Sequence, residues 1–151
     1  MAWTIHRAAL SRMLEEHLNG ATVPDPTKFY LILTNGVAIN DQSTIAQIAA
    51  AELAAANGYG RMNYNPGSGS YDATQNRYEM PPITTSITAT GAGLQYDTVV
   101  LLSNANATVG EAVGNIEFFQ TVGATTIAAG AQQSFVVSFN IGGNGVDVSA
   151  A

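Results

Sequence analysis

Between Glu52 and Tyr64 the chain reads Glu-Leu-Ala-Ala-Ala-Asn-Gly-Tyr-Gly-Arg-Met-Asn-Tyr, and across this stretch its hydrophobic period changes. Upstream, apolar residues recur every three to four positions; downstream they recur every second position, in short runs broken by Gly, Asn and Pro. A helical period and a strand period cannot share one element. The chain is therefore expected to place helices before Asn57-Gly58 and a sheet assembly after it. Gly58 fits a helix C′ position, where a left-handed residue satisfies the last carbonyls. Residues 1–57 are read as a helical arm plus a first strand packed on the sheet, and 58–151 as a β-sandwich. The two form one structural domain overall.

In the helical part, 4–19 reads as an amphipathic helix with Ile5, Ala9, Met13, Leu14 and Leu18 on one stripe. Thr4 is its expected N-cap and Gly20 its C′ residue. Trp3, just before it, is read first as a core or staple residue and second as a candidate interface anchor in a partner's pocket. The segment 21–28, with Pro24 and Pro26, is an extended connector. Phe29–Thr34 is an apolar run without alternation, a strand buried on both faces. Ile45–Ala56 is a second helix, opened by Thr44 and Gln47 in a capping-box pattern.

Past Tyr64, Ile83, Thr85, Ile87 and Ala89 alternate with polar residues, and Phe135, Val137, Phe139 and Ile141 alternate with Ser134, Val136, Ser138 and Asn140. Val99–Leu102 reads as a strand buried on both faces, and in 115–122 Ile116 and Phe118 are placed on one face. Tyr71–Met80 alternates weakly, and the tail from Gly142 has no packing pattern. About seven short strands at this spacing argue a mainly β chain, a β-sandwich or jelly roll with one or two N-terminal helices. No helix of three turns is expected after Tyr64.

The chain is 46% hydrophobic and only 11% charged, with a net charge of −6. A free monomer ordinarily carries about 25% charged residues. So sparse a charge points to a surface covered by copies or partners, or else to a neutral polar exported surface. The five cations, Arg7, Arg12, Lys28, Arg61 and Arg77, are scattered. Nucleic-acid binding needs a clustered basic footprint, so it is excluded. No cysteine is present, which removes thiolate chemistry. The N-terminus has no apolar signal region, and no apolar run nears the ~20 residues of a membrane span.

No catalytic pattern emerges, and the chain is read as a non-enzyme without cofactor. His6 and His17 lie about three helical turns apart and cannot share a metal. Gly58-Tyr59-Gly60 has the glycines of a dinucleotide fingerprint but follows a helix and precedes a strand, the reverse of what that motif requires. Tyr59, Tyr64, Tyr71, Tyr78 and Tyr96 could form a sugar-binding face, or serve simply as sheet residues. Arg61, in an alternating strand, is expected to pair with a carboxylate or to bind loop carbonyls.

The order of these parts resembles a family of small structural proteins of tailed bacteriophages, described as tail-fibre-like or minor structural proteins. The matching segments are Tyr30-Leu31-Ile32-Leu33-Thr34, Glu52 leading to Gly58-Tyr59-Gly60-Arg61, Ala129-Gly130, and Phe135-Val136-Val137. Here an alanine-rich helix stands where the family has a shorter loop, and its tryptophan-containing segment is absent around Leu94–Asp97. The resemblance implies a virion protein with Gly58, Tyr59 and Arg61 as a structural motif. Its expected partners are itself, as a homotrimer, and the major capsid protein, on the capsid exterior as cement. Other tail proteins are the expected partners if it is instead a tail component, and a carbohydrate-binding tail domain is the third reading.

Overall fold

A computed structural model describes residues 3–22, 26–138, 140–142 and 145–147. The elements are β1 (Thr4–Ile5), α1 (Arg7–Asn19), β2 (Phe29–Thr34), α2 (Ile45–Ala51), β3 (Met62–Tyr64), β4 (Ser70–Asp72) and β5 (Arg77–Glu79). They continue with β6 (Ile83–Thr88), β7 (Leu94–Ser103), β8 (Asn115–Ile127), β9 (Gln132–Val137), β10 (Asn140–Gly142) and β11 (Gly145–Asp147). The fold is mainly β, and among the described residues helices occur only before the switch of period.

The centre is a five-stranded antiparallel sheet in the order β1-β8-β7-β2-β3. Its inner strands β2 and β7 carry apolar residues on both faces, and successive side chains of a strand point to opposite sides. Leu31, Leu33, Val99 and Leu101 enter one core with Trp3, Met62 and Tyr64. The ribbon β6-β9 covers that face through Ile87, Phe135 and Val137, with Phe135 edge-on to Tyr96 at 5.9 Å between ring centroids. Ile32, Val100 and Leu102 enter the second core, closed by Ile39 and by Ile48 of α2. Sandwich packing is thus confined to the β6-β9 side, and a helix covers the other. A separate four-stranded sheet runs β11-β10-β5-β4.

Several boundaries differ from expectation. Thr4 is not a helix cap: Thr4 and Ile5 pair with Phe119 and Phe118 of β8. His6 caps α1 instead, its Nδ1 accepting from the Ala8 N–H at 3.3 Å, while Gly20 ends the helix at φ 63° as expected. The stripe expected to bury α1 does not: of α1 only Ala9 is buried.

The capping box at Thr44 and Gln47 is present, but α2 stops at Ala51, not Ala56. Glu52 turns extended, bridges to Thr34, and Leu53 N–H donates to Leu33 O. Gly58 does hold positive φ (82°), as the second residue of a turn with Asn57 (φ 53°) rather than as a helix C′ residue. A Cβ there would stand 2.5 Å from the Thr88 carbonyl.

Ile116 and Phe118 fall on opposite faces. Leu101 pairs with Phe118 and Leu102 with Ile116, so Glu117 is an extra, bulged residue that reverses the alternation. The stretch 71–80 lies in a hairpin, β4-β5, paired from Ser70 to Glu79 and tightened where Asp72 Oδ1 accepts from Thr74 and Gln75 N–H. The stretch after Phe135 does not continue as one strand: β9 ends at Val137, and β10 pairs with β5 and with β11. Of the tail from Gly142, Gly142 and Gly145–Asp147 therefore belong to a sheet. Residues 23–25 (Pro24 among them), Phe139, residues 143–144 and residues 148–151 lie outside the described residues.

Candidate functional site

The switch segment encloses a buried polar knot. Arg61 forks onto Glu52, with Nε to Oε1 at 2.9 Å and Nη2 to Oε2 at 2.7 Å, and both side chains are fully buried. Nη1 donates to Asn106 O at 3.1 Å and Nη2 also to Glu111 O at 2.8 Å. The Tyr59 hydroxyl donates to Glu52 Oε1 at 3.0 Å and accepts from Leu33 N–H at 3.1 Å. Gly110 N–H completes Glu52 at Oε2, at 2.8 Å. The short loop between Ala51 and Met62 lets Glu52, Tyr59 and Arg61 converge from one segment on β2 and on the β7-β8 loop. Burial, and then the adjacent Glu52 carboxylate, push the Tyr59 hydroxyl above its ordinary range.

The Glu52, Tyr59 and Arg61 side chains of this knot are all hydrogen-bonded within the protein. Its chemistry is that of a clasp, and Arg61 has the carboxylate partner expected of it. Gly58 belongs to the same construction. Thr90 N–H donates to Asn57 O at 2.8 Å, tying the turn to the end of β6.

Trp3 lies in the first core, 5% exposed, which leaves no ring for a partner; the interface assignment is replaced by the core one. A second ion pair, partly buried, escaped sequence reading. Glu117, the bulged residue of β8, accepts from Arg12 at 2.6 Å and from the Ser103 hydroxyl, and so fastens α1 to the sheet. Its signal was an acid inside the otherwise apolar run Ile116–Phe119. His6 joins this corner, with Nε2 donating to Ser43 O at 3.0 Å and its N–H to Glu117 O at 2.9 Å. Burial holds its pKa below the ordinary value.

His6 and His17 are not brought together with carboxylates into a metal site, and no such cluster exists among the described residues. A cavity of ≈ 180 Å³ beside α1, lined by Arg12, Met13, Glu16 and Glu117, is smaller than the ~300–1,000 Å³ of small-molecule sites. An open groove of ≈ 470 Å³ runs by Lys28, Phe29, Asn63 and Tyr64. No helix of the described residues is long and apolar enough to cross a membrane.

Of the five tyrosines singled out, Tyr59, Tyr64 and Tyr96 are buried. Tyr71 and Tyr78 are exposed, 60% and 45%, and stand directly opposite each other on β4 and β5. The Tyr71 hydroxyl is held by Asn76, and the Tyr78 ring lies over Gly69, where any Cβ would collide with it. The hairpin that creates this pair is signalled only by Asp72 and Asn76, the latter at positive φ.

Strand edges are the other exposed feature. Among the described residues β6 and β9 pair only with each other, and β8 has no partner on its outer side from Thr121 to Thr126. None of these segments contains a charged residue. Comparisons with protein-family models, with curated proteins and with solved structures return no match.

Proposed function

We propose that this chain is a non-enzymatic structural protein of a bacteriophage virion, acting as a homo-oligomeric cement on the outside of the capsid. The observation that carries the reading is that, among the described residues, β6 and β9 pair only with each other and carry no charge, while outer β8 is uncharged and blunted only by the bulge around Gly123. A soluble monomer usually blunts such edges with charge, bulges or cover. A protein that works inside a symmetric assembly has them covered by neighbours. The resemblance to phage structural proteins supplies the kind of assembly. Its residues Glu52, Tyr59 and Arg61 serve as an internal clasp, a role suited to a scaffold rather than to a catalyst. Many modest contacts repeated around a shell become strong holding through multivalency.

Cryo-electron microscopy of the particle, with the copy number of the chain measured alongside, tests the reading. Density on the icosahedral shell at tens to hundreds of copies is the expected result. Density confined to the tail rejects the cement role and leaves a tail component. Absence of the chain from purified particles rejects the virion reading.

The exposed Tyr71–Tyr78 pair favours a second reading, a carbohydrate-binding tail domain. Two rings fixed side by side by Asn76 and Gly69 offer a stacking surface to a sugar ring. Titration with glycans from the host surface, followed by tyrosine ring resonances and repeated with Tyr71→Ala, distinguishes it. Shifts in the native chain that vanish in the variant support this second reading, and no shift in either removes it.

A further inference from the structure

We propose that the outward face of α1 is a self-association surface that docks antiparallel on α1 of a second copy of this chain. The helix is mounted with its apolar stripe away from the protein. Leu10, Leu14 and Leu18 recur every four residues, and a helix brings such positions onto one face; Met13 lies on the flank, beside the cavity that Arg12 and Glu16 line. Leu18 is 71% exposed, Leu14 46%, Met13 38% and Leu10 37%. Rotation by 100° per residue places Ala9, Arg12 and Glu16 on the opposite side. That side meets the protein, through buried Ala9 and the Arg12–Glu117 ion pair. An amphipathic helix normally does the reverse. Half of the large exposed apolar residues of the described chain sit on this one helix: four of the eight.

The charges choose the occupant. Arg7 occupies the first helical position, no acid lies in the first turn, and Glu15 and Glu16 lie in the C-terminal half. This order opposes the helix dipole, which favours acids at the N-terminus and bases at the C-terminus. An antiparallel copy offsets it. Its Glu15 comes to the level of Arg7, its dipole runs counter, and its leucines cover Leu10 and Leu14. A parallel bundle would set Arg7 against Arg7 and Glu15 against Glu15. The contact is self-complementary about a two-fold axis, the commonest symmetry of homo-oligomers. It does not rest on the virion reading. A dimer from a chain absent from particles would leave this contact standing, and a monomer found on a shell would remove it alone.

The 13-residue helix is about 20 Å long. Two such helices bury less than the ~1,200 Å² of a stable standard interface. Association is therefore expected to depend on concentration, in the micromolar range or weaker.

Sedimentation of the full chain from micromolar to millimolar concentration, in low salt, is the test. The native chain is expected to pass from monomer to dimer. Leu14→Glu should weaken the dimer at least tenfold, and Leu18→Ser, at the most exposed position, should weaken it without any effect on folding, checked by circular dichroism. Arg7→Glu and Glu15→Arg should each weaken it, and the double variant should restore it. A monomer at every concentration overturns the proposal. So does association untouched by Leu14→Glu and Leu18→Ser, or a charge swap that fails to restore what the single changes lose.

Discussion

At Glu52 four donors meet two oxygens, from Tyr59, from Arg61 twice and from Gly110. A buried ion pair adds little net stability over an apolar pair, because desolvation consumes most of the Coulomb gain. Breaking it from one side is a different matter. Glu52→Ala leaves a buried guanidinium with two carbonyls and no counter-charge. It is expected to cost about 3–5 kcal/mol in denaturant unfolding. Arg61→Lys should also destabilise, since an ammonium cannot fork onto both carboxylate oxygens while reaching Asn106 and Glu111. The double variant Glu52→Met with Arg61→Met should lose less than the sum of the two singles; additive losses would mean the pair acts independently.

His6 carries a pH dependence whose sign follows from its bonds. Nδ1 accepts from Ala8 N–H and Nε2 donates to Ser43 O, so the folded state holds a neutral ring. Burial lowers its pKa from 6.5, so the unfolded chain binds the proton more readily. Stability from this group is present above pH ~6.5 and is lost as pH falls through the lowered folded pKa. His6→Asn can still cap α1 but cannot titrate. Its stability curve should therefore be flatter than the native one below pH 6.5, and parallel curves over pH 5–7.5 would rule this out.

At the scale of elements, Thr44 shows how local chemistry fixes a boundary. Its hydroxyl accepts from Gln47 N–H, and the Gln47 side chain returns to Thr44 N–H at 2.8 Å. Thr44→Ala should cost about 1 kcal/mol, measured by thermal or denaturant unfolding. The other end of α2 shows why sequence reading stopped short. The alanine run 49–51 and 54–56 has helix propensity throughout, yet Glu52 leaves the helix to meet Arg61 and bridge Thr34. A tertiary contact overrides propensity there. The same holds at Thr4–Ile5, captured by β8, and at Glu117, where one bulged residue reverses a face.

What was legible was the two-faced burial of β2 and β7, the alternation of β6, the capping box and the carboxylate partner of Arg61. The β4-β5 hairpin and its exposed tyrosines were not, because three-residue strands carry too little periodicity. Gly58 was legible as a positive-φ residue, though for a different neighbour. Gly58→Val meets both the φ penalty and the Thr88 carbonyl, whereas Ala55 is exposed. Gly58→Val should lower the melting temperature well below that of Ala55→Val, which should stay near the native value; equal values would refute this geometry.

Over the whole molecule, cohesion is unevenly distributed. β7 pairs on both sides and is buried from Val99 to Ser103, while β2 beside it is buried from Leu31 to Thr34. β4 and β5 have no fully buried residue; they pair with each other, and β5 with β10, outside the two cores. Opening free energy follows buried contacts, so the chain should open in parts. Amide hydrogen exchange should find the slowest protons in β2 and β7, close to the global unfolding limit. The amides of β4 and β5 should exchange by local opening, orders of magnitude sooner. The clasp makes a sharper demand. Leu33 N–H donates to Tyr59 rather than to a neighbouring strand, so its protection reports the Glu52–Tyr59–Arg61 knot directly. Tyr59→Phe should speed exchange at Leu33 far more than at Val100, which lies in the same sheet but in the other core. Equal acceleration at both amides would mean that the knot and the sheet open as one unit.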